Sequence, residues 1–238
     1  MASTTTANAP STTQFESCGG LREAGWAKLR RADWIAPGLA VVFISALAIP
    51  RLPPGVCFED AGDLQLASAT LGIMHPPGYA GYVTLGWFVS RVPGVDPAYM
   101  VSLACFASGL TAIWFCMLLQ IRLGVSSWIA GALGLALTAH PRVWSNLLVP
   151  EVYAPTLALL AGAAYLLVRS VHRGVRRDML LAALLYGLAL ANRPPLLFML
   201  PFFLVAWWTA RSRWNWSWRL WGVSLAIGAA CLLLSPAR

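Results

Sequence analysis

Residues 101–121 read VSLACFASGLTAIWFCMLLQI, twenty-one positions without a single charge. In a bilayer such a run must fold as a helix, because its backbone N–H and C=O groups find no water to pair with and must pair within the segment. Apolar runs recur at 34–50, 99–121, 127–145, 152–168, 179–191, 196–210 and 220–234. They predict an all-α, polytopic transmembrane helical bundle of about seven spans. The last three runs fall below the roughly seventeen residues that a crossing needs, and tilt or breakage is expected in the fifth and sixth. Charged residues make up only 11% of the chain, against about a quarter in soluble domains, which excludes an ordinary soluble fold.

The net charge of +8 comes from sixteen arginines and one lysine gathered in short clusters between the apolar runs. That distribution suits topology determinants and not a phosphate-tracking surface, so nucleic acid is excluded as a partner. The run at 79–89 is too short to cross. If it stays outside and the basic N-terminus is cytoplasmic, twelve basic residues lie inside and five outside; if it crosses, the split becomes eight and nine. The positive-inside rule selects the first arrangement, with 79–89 a short amphipathic helix on the outer surface. Residues 1–33 read as a disordered cytoplasmic tail without an A-x-A cleavage pattern, 34–236 as the membrane domain, and 51–98 as its long outer loop. The five cysteines form no CxxC pair, so neither a disulfide framework nor a metal site is expected.

This topology collects the chemically able side chains on one side. Asp60 and Asp63 stand three apart in "EDAGDLQLASATLGI", on one face of a helix if the segment is helical. The same pair reads as an N-cap followed by an acid at N3. His75 opens "HPPGY", a turn enforced by two prolines and closed by Tyr79. Glu151 begins an apolar run, where an acid costs about 2–3 kcal/mol unless it meets a partner or water, or complements a helix start. Arg142 and Arg193, the latter beside Asn192, are the outer arginines placed for an anionic group or for lipid phosphates. No Walker A, GxSxG or HExxH pattern appears, so soluble nucleotide or hydrolase chemistry is not expected.

The segments "DAGDLQLASATLGIMHPPGYAGY", "PEVYA" and "GLALANRPP" resemble the GT-C membrane glycosyltransferases, in particular the protein O-mannosyltransferase-like family. The resemblance implies inverting transfer of a sugar, mannose, from a polyprenyl-phosphate donor to a hydroxyl acceptor on a protein or glycan. It implies Asp60 as general base, with Asp63 orienting the acceptor or sharing that role. Arg142 or Arg193 would then face the departing lipid phosphate, and His75, Tyr79, Glu151 and Asn192 would line the substrate pocket. No metal and no cofactor are assigned. The chain departs from the family pattern at Asp63, where Glu is usual, at Ala80, where Pro is usual, and at Arg193, where His is usual. It also ends where family members continue, which leaves a truncated or non-catalytic relative, a lipid-sugar binder or a transporter subunit as the alternative. Its Ala, Arg and Trp content suggests a bacterial protein and hence the inner membrane.

Overall fold

The computed structural model describes residues 29–74 and 79–210. His75, the run at 220–234 and most of the N-terminal tail lie outside the described residues, as do six of the seventeen basic positions: Arg22, Lys28, Arg211, Arg213, Arg219 and Arg238. The described residues are helical throughout, without strands. The helices are α1 (Ile35–Ala48), α2 (Glu59–Thr70), α3 (Ala80–Val89), α4 (Pro97–Arg122), α5 (Ser127–Ala139), α6 (Pro141–Leu148), α7 (Tyr153–Arg173), α8 (Arg176–Asn192) and α9 (Leu200–Ala210). Among the described residues, three helical stretches are long and apolar enough to cross a bilayer: Arg31–Arg51, which is α1 with its flanking 3-10 turns, Pro97–Arg122 and Tyr153–Arg173.

The expected third span does not form one helix. α5 stops at His140, whose backbone is extended, and Pro141 opens α6. The physical reason is local: proline disfavours helical geometry at the residue before it and is well suited to a first helical position. Thirteen residues of α5 reach about 20 Å at 1.5 Å per residue, short of the ~30 Å hydrocarbon core. The expected amphipathic outer helix is also corrected. α3 is short, as predicted, but it is apolar. It buries Tyr82, Val83 and Gly86 and leaves Thr84, Leu85 and Phe88 exposed. The helix with opposed faces is α6, where Arg142 and Ser145 are exposed and Leu147 is buried.

Helix packing runs through α4. On one side Phe106, Ile113 and Met117 meet Ile44 of α1, Ala130 of α5 and Leu147 of α6. Toward its start, Val101 and Cys105 meet Leu64 of α2, Tyr82 and Val83 of α3, and Val152. α7, α8 and α9 share a second core around Leu167, Ala182, Tyr186 and Phe203. Lipid offers no hydrophobic incentive for helices to associate, so close backbone approach over small residues carries much of the packing. A Cβ on Gly131 would stand 3.2 Å from the Ala36 backbone, which is how near α5 comes to α1.

Gly62, inside "DAGD", has the tightest such contact with backbone among the described residues. A Cβ there would lie 2.3 Å from the Cys57 carbonyl oxygen. Backbone cannot rotate aside as a side-chain end can, so Gly62→Ala is expected to cost about 1–3 kcal/mol and to push α2 from its seat. Thermal unfolding of the purified variant checks this; an unchanged midpoint would show that the Cys57 segment yields freely.

Candidate functional site

α2 begins with Glu59, and Phe58 at its N-cap supplies no side-chain acceptor. The capping role expected of Asp60 and Asp63 is therefore not observed. Asp60 occupies the second helical position and Asp63 the second turn, both exposed. The helix starts two residues earlier than the acid pattern suggests, and the chain ahead of it is held against α2 by a hydrogen bond from Cys57 N–H to Gln65 Oε1 (2.7 Å).

Asp60 and Asp63 diverge. Asp60 lies near enough to Glu151 for its charge to act on that carboxyl. Asp63 lines a separate cleft of about 470 Å³ with Cys57, Phe58, Leu66 and Asp96. An i, i+3 pair is offset by about 60° around a helix, and here that offset separates two surroundings.

Glu151 is half-buried just before α7. Burial pushes its carboxyl above the usual carboxylate range and the negative charge of Asp60 adds to this, while the Arg193 guanidinium opposes both. The tertiary structure thus brings together Asp60 from α2, Glu151 from the α6–α7 connection and Arg193 from the end of α8. Arg193 lies with its guanidinium carbon 4.3 Å from the centre of the Tyr153 ring, a cation–π arrangement that fixes the charge beside Glu151. The expected pH dependence follows. A raised folded-state pKa means that this group's contribution to stability is present below its unfolded value and is lost as pH rises through the folded one. Wild type should therefore lose stability relative to Glu151→Gln as pH climbs from 4 to 8. Parallel melts across that range check it, and a constant difference would show that Glu151 is as easily ionised folded as unfolded.

Asn192 is buried, and its Oδ1 accepts a hydrogen bond from Tyr82 N–H at 3.1 Å. Tyr82 is the third residue of α3, so Asn192 caps that helix from 110 positions away. α3 has no side-chain cap of its own, and its N-cap residue Tyr79 is half-buried in a left-handed conformation at φ 46°. Gly81 allows the approach, since a Cβ there would come 2.7 Å from Asn192 Oδ1. The Tyr82 phenol in turn pairs with Cys105 Sγ at 3.1 Å, and Cys105 also takes a hydrogen bond from the Glu151 backbone N–H. Tyr82, Cys105 and Tyr153 therefore frame the site, although their sequence surroundings are apolar and give them no distinguishing pattern.

An apolar groove of about 770 Å³ lies between α3, α4, α7 and α8. Leu85, Phe88, Phe115, Leu159 and Leu188 line it, and Gly81 and Asn192 stand at its polar end. Arg142 is not part of the arrangement. It is exposed at the start of α6, where its N–H donates to His140 Nδ1 at 3.3 Å, and it is not among the groups acting on Glu151. Among the described residues no three His, Cys, Asp or Glu side chains converge as metal ligands.

Comparison with known proteins bears on the same residues. Residues 60–217 match the family described as the protein O-mannosyl-transferase TMEM260 N-terminal domain, a match that opens at Asp60 and extends past Arg193. The mouse (Mus musculus) protein O-mannosyl-transferase TMEM260 is 30% identical over 128 residues, which is 53% of this chain and 17% of the mouse protein. No solved structure matches. With two thirds of its length inside that match, the chain belongs to the TMEM260 N-terminal domain family of O-mannosyltransferases.

Proposed function

We propose that this chain is a membrane glycosyltransferase of GT-C type that moves mannose from a polyprenyl-phosphate donor to a hydroxyl acceptor. The observation that supports the reading is the electrostatic grouping of Asp60 and Arg193 around Glu151, with Asn192, the chain neighbour of Arg193, at the polar end of an apolar groove. A polyprenyl chain suits the Leu85–Phe88–Phe115 walls, its phosphate suits Arg193 and the Asn192 amide, and the sugar then projects toward the two acids. Family membership supports the transferase class. In this reading the remaining apolar helices complete about seven spans, and the site faces the outer side of a bacterial inner membrane.

Transfer would proceed by displacement. The acceptor oxygen attacks the sugar C1 as Asp60 takes its proton, and the C1–O bond to the lipid phosphate breaks on the opposite face. The electron pair leaves with the phosphate, whose growing charge Arg193 faces. Glu151, which burial favours in its protonated form, would donate a hydrogen bond to a sugar hydroxyl and spare Asp60 a second negative neighbour. Asp63, in its own cleft, would act on the acceptor and not on the donor. The test is protein in lipid nanodiscs with radiolabelled polyprenyl-phosphate mannose and a hydroxyl acceptor. Retention of donor followed by loss of label from the lipid supports the enzyme; retention without loss leaves a lipid-sugar binder; no retention refutes the reading.

A further inference from the structure

Gln65 lies five residues beyond Asp60 on the buried face of α2 and is 2% exposed. Ala61, Leu64 and Ala67 pack on the same face, and Ser68 is the other polar side chain buried there; none of them needs an amide as a packing partner. A buried amide is costly unless its donors and acceptor are met, and here they are. Oε1 accepts from Cys57 N–H at 2.7 Å. Nε2 donates to the Ala98 carbonyl at 3.1 Å and to Ser102 Oγ at 3.0 Å, with a longer contact of 3.4 Å to the Gly55 carbonyl. This pattern of one acceptor and several donors also fixes which end of the amide is which. Ser102 Oγ donates onward to the Ala98 carbonyl at 3.1 Å, closing the network inside the first turns of α4.

The partners belong to two segments far apart in sequence. Gly55 and Cys57 are in the strap that leads into α2, whereas Ala98 and Ser102 are on α4, which also carries Cys105 and, through it, the Glu151 backbone. Asp60 falls between Cys57 and Gln65 in sequence, on the first turn of a helix whose N-cap residue offers no side-chain bond. Left to itself, such a first turn frays. We infer that Gln65 is a positioning residue: by tying the strap before α2 to the first turns of α4, it holds the Asp60 turn at a fixed distance from Glu151. This rests on the reading of Asp60 as the base; the clamp itself has a readout that does not.

The experiment uses the whole chain in nanodiscs with Cys18, Cys116 and Cys231 changed to Ser, leaving Cys57 in the strap and the buried Cys105. Gln65→Met keeps the volume and loses every bond. Labelling of Cys57 by a membrane-impermeant maleimide should then quicken by roughly tenfold as the strap opens locally. kcat should fall about 100-fold, the scale of a misplacement near 1 Å, with donor retention within about twofold because the groove on α3, α4, α7 and α8 is untouched. Ser102→Ala removes one of several acceptors and should leave kcat within about threefold. If Gln65→Met does not fold, Gln65→Glu, which keeps an acceptor for Cys57 but weakens the link to the α4 carbonyl, should move both readouts the same way. Faster labelling with unchanged kcat would reduce Gln65 to a fold contact and overturn the positioning role, and unchanged labelling would overturn the clamp. Absence of transfer by wild type would overturn the catalytic reading, and the positioning role with it, whatever the labelling shows.

Discussion

Asp60→Asn is expected to lower sugar transfer by about 10²–10⁴-fold, the range associated with loss of a general base, while leaving donor retention close to wild type. The amide is nearly the same size as the carboxylate and cannot take the acceptor's proton. Its neighbours should stay in place, because Asp60 is exposed and, among the described residues, no hydrogen bond from its side chain holds the site together. Asp63→Asn should be far milder on the chemical step, since Asp63 lines the cleft with Phe58 and Asp96 and does not act on Glu151. Its effect should fall on acceptor KM. Following label from the lipid to the acceptor for both variants, with donor retention measured alongside, decides between them. Equal losses of kcat would show that the two acids work as a unit, and an active Asp60→Asn would remove Asp60 from the mechanism.

The second large effect is on stability. α7 turns into α8 through Gly174, left-handed at φ 67°, and the hairpin is tied by Arg169 and Asp178. Their contact is bidentate: Arg169 Nε donates to Asp178 Oδ2 at 2.6 Å and Nη2 donates to Oδ1. Asp178 is 4% exposed, and Arg169 also lies over the Tyr165 ring, its guanidinium carbon 5.7 Å from the centre. Removing Asp178 leaves the partly exposed Arg169 guanidinium without its partner, a loss of about 1–3 kcal/mol. Asp178→Ala should therefore unfold well before wild type in a detergent thermal melt. The double replacement Arg169→Met with Asp178→Leu should recover much of the loss, because an apolar pair carries no desolvation cost. A double variant as unstable as the single one would show that the geometry of the ion pair, and not the orphaned charge, sets the stability. Since α8 ends at Asn192 and leads directly into Arg193, a loosened hairpin should also weaken donor retention.

The site was half legible from the sequence. Asp60, Glu151 and Arg193 stood out because acids and an isolated arginine beside apolar runs must find water or one another. Asn192 stood out by adjacency to Arg193, but its work, capping α3 through Tyr82 N–H, belongs to a contact no local pattern announces. Asp63 and Arg142 shared the expected compartment and yet lie elsewhere, one in its own cleft and the other on α6. Gln65, Tyr82, Cys105 and Tyr153 escaped notice since each sits in an otherwise unremarkable helical or apolar stretch.

What the sequence determined by itself is the solvent and the element type. Uncharged runs of this length require lipid, lipid requires internal hydrogen bonds, and Pro and Gly mark where helices break, as at His140–Pro141 and Gly174. Tertiary structure decided which helix faces meet. It split the acid pair between two surroundings, turned α3 into a groove wall instead of a surface float, and set Arg193 on Tyr153 beside Glu151. The reason is that helical periodicity specifies a face but not its partner. In a bilayer, where every face is apolar, the choice falls to close approach at Gly62, Gly81 and Gly131 and to a few buried polar bonds, whose partners lie up to 110 residues apart.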